Sequence, residues 1–192
     1  MQRDVQREMS DLEIIHLEEA WHREHLTIIV FGASGDLAKK KTYPTLFELY
    51  NLGYLPENFA IWGFSRSAVS DEDFRAKLLP YFPKDLQEKG KTFLERCYYR
   101  SGKGYNDLDA GRALSAEAAE HAAKAPGPSN RLFYFAIPPT VFLESARTVK
   151  LTLMDGTVSV PRIGPSIPRR PNRPAYDRRS PDLFFLPRAS IA

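Results

Sequence analysis

The sequence predicts an α/β fold, a doubly wound parallel sheet followed by an irregular C-terminal tail. Three observations carry that prediction. Apolar, β-branched runs alternate with helix-patterned stretches four times along the chain, the order expected of βαβ units. The first run, Leu26 to Phe31, is apolar or β-branched at every position, as in strands covered on both faces. A glycine-bearing turn stands between that strand and the helix after it.

Each element has a local reason. Residues 1–24 place Val5, Met9, Leu12 and Ile15 at three- and four-residue spacing among charges, the mark of a surface helix. Leu26–Phe31 is the first strand. A helix is expected from about Leu37 to Asn51, opened by Asp36, stopped by Gly53 and kinked by Pro44. Phe59 to Phe64 reads as the second strand. Ser70 followed by Asp73 resembles a capping pair for a third helix, which Pro80 and Pro83 interrupt before a further helix over about Lys84 to Glu95. Cys97 to Tyr99 is a short third strand, and the alanine-rich residues 112–124 form a helix. Ala125 to Asn130 is a loop. Arg131 to Ile137 is the fourth strand, stopped by Pro138 and Pro139, and a last helix covers about Val141 to Met154.

The composition is that of a folded protein: 192 residues, 43% hydrophobic and 12% aromatic, too apolar for wholesale disorder. The net charge of +3 is unevenly spread. Residues 155–192 hold seven Arg, no Lys, three acids and seven of the 15 prolines, while the preceding 154 residues sum to −1. The body therefore gives no electrostatic reason to expect nucleic acid. The longest apolar stretch is too short to span a bilayer, and residues 1–24, with seven acids and three Arg, do not read as a signal peptide. Neither nucleic acid nor membrane is an expected partner, and a cytoplasmic location is. The single cysteine, Cys97, excludes an internal disulfide and reads as a buried small hydrophobe. His16, His22, His25 and His121 form no metal-ligand pattern. Ser101-Gly102-Lys103-Gly104 lacks phosphate-loop spacing and reads as a turn.

The chemistry concentrates in Gly32-Ala33-Ser34-Gly35-Asp36-Leu37-Ala38. The spacing is GxxGxxA, one residue longer between its first two small residues than the usual dinucleotide fingerprint. Gly32 permits the tight turn and Gly35 lets the backbone approach a pyrophosphate. Ala38 lets helix and strand pack closely, and the phosphates meet the amides of the helix N-terminus. The fold expected is thus a partial Rossmann fold. At the end of the second strand, Gly63-Phe64-Ser65-Arg66-Ser67 offers an arginine and two hydroxyls where NAD enzymes place a carboxylate. A guanidinium suits a 2′-phosphate that a carboxylate repels, which points to NADP. Lys39-Lys40-Lys41 sets positive charge against the helix dipole, a cost that a nearby polyanion offsets; a solvated basic face is the alternative. Pro138 and Pro139 form a stiff wall beside the switch point.

These residues resemble the N-terminal coenzyme domain of the glucose-6-phosphate dehydrogenase family. The likeness runs through Gly32 to Lys41 with Tyr43-Pro44, then Leu55-Pro56-Glu57-Asn58, Phe64-Ser65-Arg66-Ser67, and Asn130-Arg131-Leu132-Phe133-Tyr134 into Pro138-Pro139-Thr140-Val141. It covers about residues 26–150. The resemblance implies oxidation of glucose 6-phosphate at C1 to 6-phosphogluconolactone with reduction of NADP, at the start of the pentose phosphate pathway, by a protein that is a homo-oligomer in the family. It implies that Gly32, Ala33, Ser34, Gly35, Asp36, Leu37, Ala38 and Lys39 line the coenzyme phosphates and that Arg66 meets the 2′-phosphate. Phe142 stands where some members carry a coenzyme-contacting tyrosine.

The family's Glu-Lys-Pro-Phe-Gly and Asp-His-Tyr-Leu-Gly-Lys-Glu strings do not occur in the sequence. After about Gly156 it turns Arg/Pro-rich, as an out-of-frame or alternatively spliced continuation does. The expected organisation is an N-terminal helical extension over residues 1–25, an incomplete NADP-binding domain over 26–156 and a disordered Pro/Arg-rich tail over 157–192. A chain without the substrate domain is expected to turn over little or not at all, and no catalytic residue is assigned. Two other readings stand beside this one. Pro165, Pro168, Pro171 and Pro174, three residues apart, resemble a polyproline ligand for aromatic-grooved domains. A non-catalytic NADP-binding module is the other.

Overall fold

The structure is a computed structural model that describes residues 24–154. The helix expected over residues 1–25 and the tail over 157–192 lie outside the described residues, apart from Glu24 and His25.

Four parallel strands form one sheet in the order β3-β2-β1-β4. They are β1 (His25–Phe31), β2 (Phe59–Ser65), β3 (Cys97–Ser101) and β4 (Ser129–Phe135). β1 lies in the middle, pairing Ile28 with Ile61 of β2 and with Leu132 of β4. The chain builds outward from β1 to β3, then crosses back to place β4 on the other side of β1. That reversal creates a switch point at the carboxyl ends of β1 and β4, where open α/β sheets bind ligands.

The apolar runs are buried on both faces, as their composition requires. Every residue of β1 and of β2 is buried. On one face, Ile28 and Val30 pack with Phe59 and Ile61 under α1 (Tyr43–Asn51), α2 (Asp71–Leu78) and α3 (Gln87–Leu94). Phe47, Phe82 and Phe93 meet there, with ring centroids 4.6 Å apart for Phe47–Phe82 and 5.6 Å for Phe47–Phe93. Ile29, Phe31, Trp62 and Phe64 face the other way, toward Leu114 and Ala118 of α4 (Leu108–Ala122) and Val149 of α5 (Phe142–Thr152). Each such side chain contributes about 1.5–3 kcal/mol by leaving water.

Three local expectations need correction. Pro44 does not kink a continuous helix. The chain makes a π-helical turn, Ala38–Thr42, in which the Tyr43 amide reaches back five residues to Ala38, and Pro44 then falls in the first turn of α1. The widened turn removes the clash between the proline ring and the carbonyl four residues earlier. The helix expected at 112–124 starts earlier, at Leu108, because Asp107 caps it by accepting from the Ala110 amide at 3.0 Å. His25, read as preceding the first strand, is its first residue and is 2% exposed. The other boundaries agree to within a few residues. Ser70 caps α2 by accepting from the Asp73 amide at 3.1 Å, and Pro80 and Pro83 fall at short 3-10 turns, Leu79–Tyr81 and Lys84–Leu86.

Candidate functional site

The glycine turn sits at the carboxyl end of β1, held by main-chain bonds on both sides. The Gly32 and Ala33 amides both donate to the Phe64 carbonyl, at 2.8 and 3.4 Å, and the Gly35 amide donates to the Gly32 carbonyl at 2.9 Å. Across the switch point the Ala136 amide donates to the Phe31 carbonyl at 2.9 Å. Gly32 has φ +82°, and a Cβ there would lie 2.3 Å from the Ala136 carbonyl oxygen. Only glycine lets this bend come so close to the end of β4.

These bonds sort the amides of the turn. Those of Gly32, Ala33 and Gly35 are used internally. The first helical bond runs from the Lys39 amide to the Gly35 carbonyl at 3.1 Å, so the amides of Asp36, Leu37 and Ala38 precede it and have no intrahelical acceptor. The Ser34 amide meets no acceptor among the described residues. Four donors at a helix start are a ready-made anion cradle. A Cβ on Gly35 would meet only its own turn, at the Gly32 carbonyl oxygen. The amides left free for an anion are thus those of Ser34 and residues 36–38 rather than every amide from 32 onward, an arrangement that fits a diphosphate.

The side chains divide as follows. Ala33 and Ala38 are fully buried and Leu37 is exposed, so the small residue at 38 lets the helix start press onto the core, as its size predicts. Ser34 is half-buried, and its hydroxyl lies 2.8 Å from that of Ser65. Asp36 does not cap the helix. Its exposed carboxylate pairs with Lys39 at 3.3 Å and Lys40 at 3.0 Å. The hydrogen bonds from Lys40 and Lys39 hold its pKa below the ordinary carboxylate value, and the same pair raises that of Lys40. The adverse effect of these lysines on the helix start is thus partly offset from within. Lys41 is exposed.

Arg66 follows directly on β2. It is exposed, has no ion pair among the described residues, and its guanidinium carbon lies 6.0 Å from the Tyr105 ring centroid. Tyr105 has no sequence signal of its own, standing in the β3–α4 loop just after the Gly102–Gly104 turn; its ring packs against Phe31 at 6.3 Å. Pro138 and Pro139 are exposed, joined by trans peptides, and follow the buried Ala136 and Ile137 that back the turn. Phe142 sets its ring 5.9 Å from Phe135. Ser101 ends β3, and the expected turn is confined to Gly102 to Gly104, tied by the Gly102 amide to the Ser65 carbonyl at 3.1 Å.

The remaining reactive groups lie elsewhere. His25 and His121, with ring centroids 5.8 Å apart, sit by the amino end of β1, opposite the glycine turn. Cys97 is buried, and burial pushes its thiol pKa up. No group of three or more metal-ligating side chains occurs among the described residues. No helix there is long and apolar enough to cross a membrane. A hollow of about 340 Å³, lined by residues including Ala119, Ala122 and Gly127, lies at the amino end of β4, away from the turn.

Comparison with known proteins agrees with this geometry. The family described as "Glucose-6-phosphate dehydrogenase, NAD binding domain" matches residues 29–163, which carries the likeness seven residues past Gly156. The chloroplastic glucose-6-phosphate 1-dehydrogenase of Spinacia oleracea is 42% identical over 147 residues, 73% of this chain and 25% of that one. The cytoplasmic isoform of Solanum tuberosum is 40% identical over 136 residues, 68% of this chain and 26% of that one. Among solved structures, a glucose-6-phosphate dehydrogenase in complex with its substrate glucose 6-phosphate aligns with a TM-score of 0.66 at 36% identity, over 70% of this chain and 29% of that one. The chain spans about a quarter of the length of the curated relatives it matches. A parallel sheet with its glycine turn at the switch point, matched in sequence and in three dimensions over most of the chain, makes this protein a member of the glucose-6-phosphate dehydrogenase family.

Proposed function

We propose that this chain binds NADP at the carboxyl ends of β1 and β2, in the manner of the coenzyme domain of a dehydrogenase acting on glucose 6-phosphate. Residues 32–39 line the diphosphate, and Arg66 meets the 2′-phosphate of the adenosine ribose. The observation that carries the choice of NADP is Arg66, exposed beyond β2 with no ion pair among the described residues. A free guanidinium beside a ribose favours a phosphate there and gains nothing from a bare hydroxyl.

Bound NADP supplies the hydride acceptor. The chain's own residues bind and orient. The Ser34 amide and those of residues 36–38 donate to the diphosphate, Lys39 adds positive charge beside it, and the Tyr105 ring steadies Arg66. Oxidation of a sugar hydroxyl also needs a base in reach of its proton. His25 and His121 are at the far end of the sheet, so the described residues hold coenzyme and contribute no histidine base. We expect little or no turnover of glucose 6-phosphate by the described residues alone. The location in the cell follows the cytoplasmic relatives in this reading, although chloroplastic ones match as well.

Calorimetric titration with NADP and NAD tests the reading. The expected result is measurable binding of NADP and weaker binding of NAD. Arg66→Ala should weaken NADP by about tenfold to a hundredfold, the range for a hydrogen bond to a charged group, and leave NAD unchanged. Equal loss for both ligands refutes the role given to Arg66. An assay for NADPH formation with glucose 6-phosphate tests the lack of turnover, and a rate near that of a full-length relative refutes it.

A further inference from the structure

Ser65 ends β2 and is 5% exposed. Its main chain is fixed on both sides. The carbonyl before it, of Phe64, accepts the two turn amides, and its own carbonyl accepts from Gly102 at 3.1 Å. Its hydroxyl lies 2.8 Å from the Ser34 hydroxyl, and neither has another hydrogen-bond partner among the described residues. Ser34 is inside the turn, half-buried and next to the free amides.

A hydroxyl donates one proton and accepts at two sites. In the free pair, either serine can donate to the other. A phosphate anion removes that ambiguity, because it only accepts. Ser34 must then turn its proton outward to the anion, and the proton on Ser65 is the one left to fill Ser34 Oγ. Two O–H donors in line polarise each other, so the outer bond strengthens.

On the NADP reading above, we propose that Ser65 is a positioning residue for the diphosphate. It donates to Ser34 Oγ, which frees the Ser34 proton for a diphosphate oxygen, without touching the ligand itself. The end of β2 then serves both poles of the coenzyme, the buried Ser65 acting on the diphosphate and the exposed Arg66 on the 2′-phosphate.

The test measures NADP and adenosine 2′-phosphate, which has no diphosphate, on the full chain and on S65A, S34A and the double variant. The expected loss in S65A is about threefold to tenfold for NADP, the value of one hydrogen bond, with adenosine 2′-phosphate unchanged. In the S34A background S65A should add nothing, since its effect passes through Ser34. A loss shared by both ligands, or a loss that adds fully to that of S34A, means that Ser65 supports the fold generally and overturns the proposal. Wild-type binding of NADP with S65A equally tight overturns it alone. A wild-type chain that binds neither ligand overturns the NADP reading and this proposal together.

Discussion

At the scale of single residues, the glycine turn and the buried histidine make opposite demands on the chain. Gly32 is held at φ +82° with no room for a Cβ beside Ala136. Gly32→Ala therefore meets both a left-handed backbone and a main-chain overlap, and should cost about 2–3 kcal/mol or more; chemical denaturation measures it. His25 is buried at the start of β1. Burial first, then the nearby His121, lowers its pKa from 6.5 to about 4. The folded chain thus binds fewer protons than the unfolded chain between those values. Stability is full above pH 6.5 and falls as the pH drops toward 4, by about 3 kcal/mol at 1.36 kcal/mol per unit. Denaturation midpoints from pH 7 to pH 4 should show that slope, and His25→Leu should reduce it, with His121, whose pKa burial also lowers, keeping part of it. The turn was legible in the sequence because its glycines have a required spacing. His25 was not, because nothing in a lone histidine before an apolar run shows that its ring will be covered by α4.

At the scale of elements, the strands were legible and the helix starts less so. A strand buried on both faces shows as an unbroken apolar run, so β1 and β2 were placed within one residue. A helix start depends on which side chain reaches the free amides. Ser70 is legible as a cap from its spacing to Asp73, whereas Asp107 is not, because the alanine-rich pattern begins only later. The π-helical turn over Ala38–Thr42 left no sequence signal beyond Pro44, which marks that something must yield and not what. Ser70→Ala removes the acceptor for the Asp73 amide. It should lower stability by about 0.5–2 kcal/mol, read as a drop in melting temperature with the NADP affinity unchanged.

At the scale of the whole molecule, the two edges of the sheet differ. Two outward groups of β3 are taken up by α2: Arg75 Nε donates to the Cys97 carbonyl at 2.9 Å and the Tyr99 amide donates to Asp71 at 2.6 Å. Along β4, Pro128 and Ala136 bond to β1, so the alternating pattern turns the main chain of Phe133 and Phe135 outward. Those groups meet no partner among the described residues, and Leu132 and Tyr134 beside them are 45% and 44% exposed. Open apolar edges pair with other chains. Tyr134→Lys should reduce concentration-dependent self-association in light scattering while the circular dichroism spectrum stays the same.

Because α2 takes up outward groups of β3 and nothing among the described residues takes up those of Phe133 and Phe135, any pairing between copies of the described sheet would run through β4, and two copies so joined would each cover the other's more open flank.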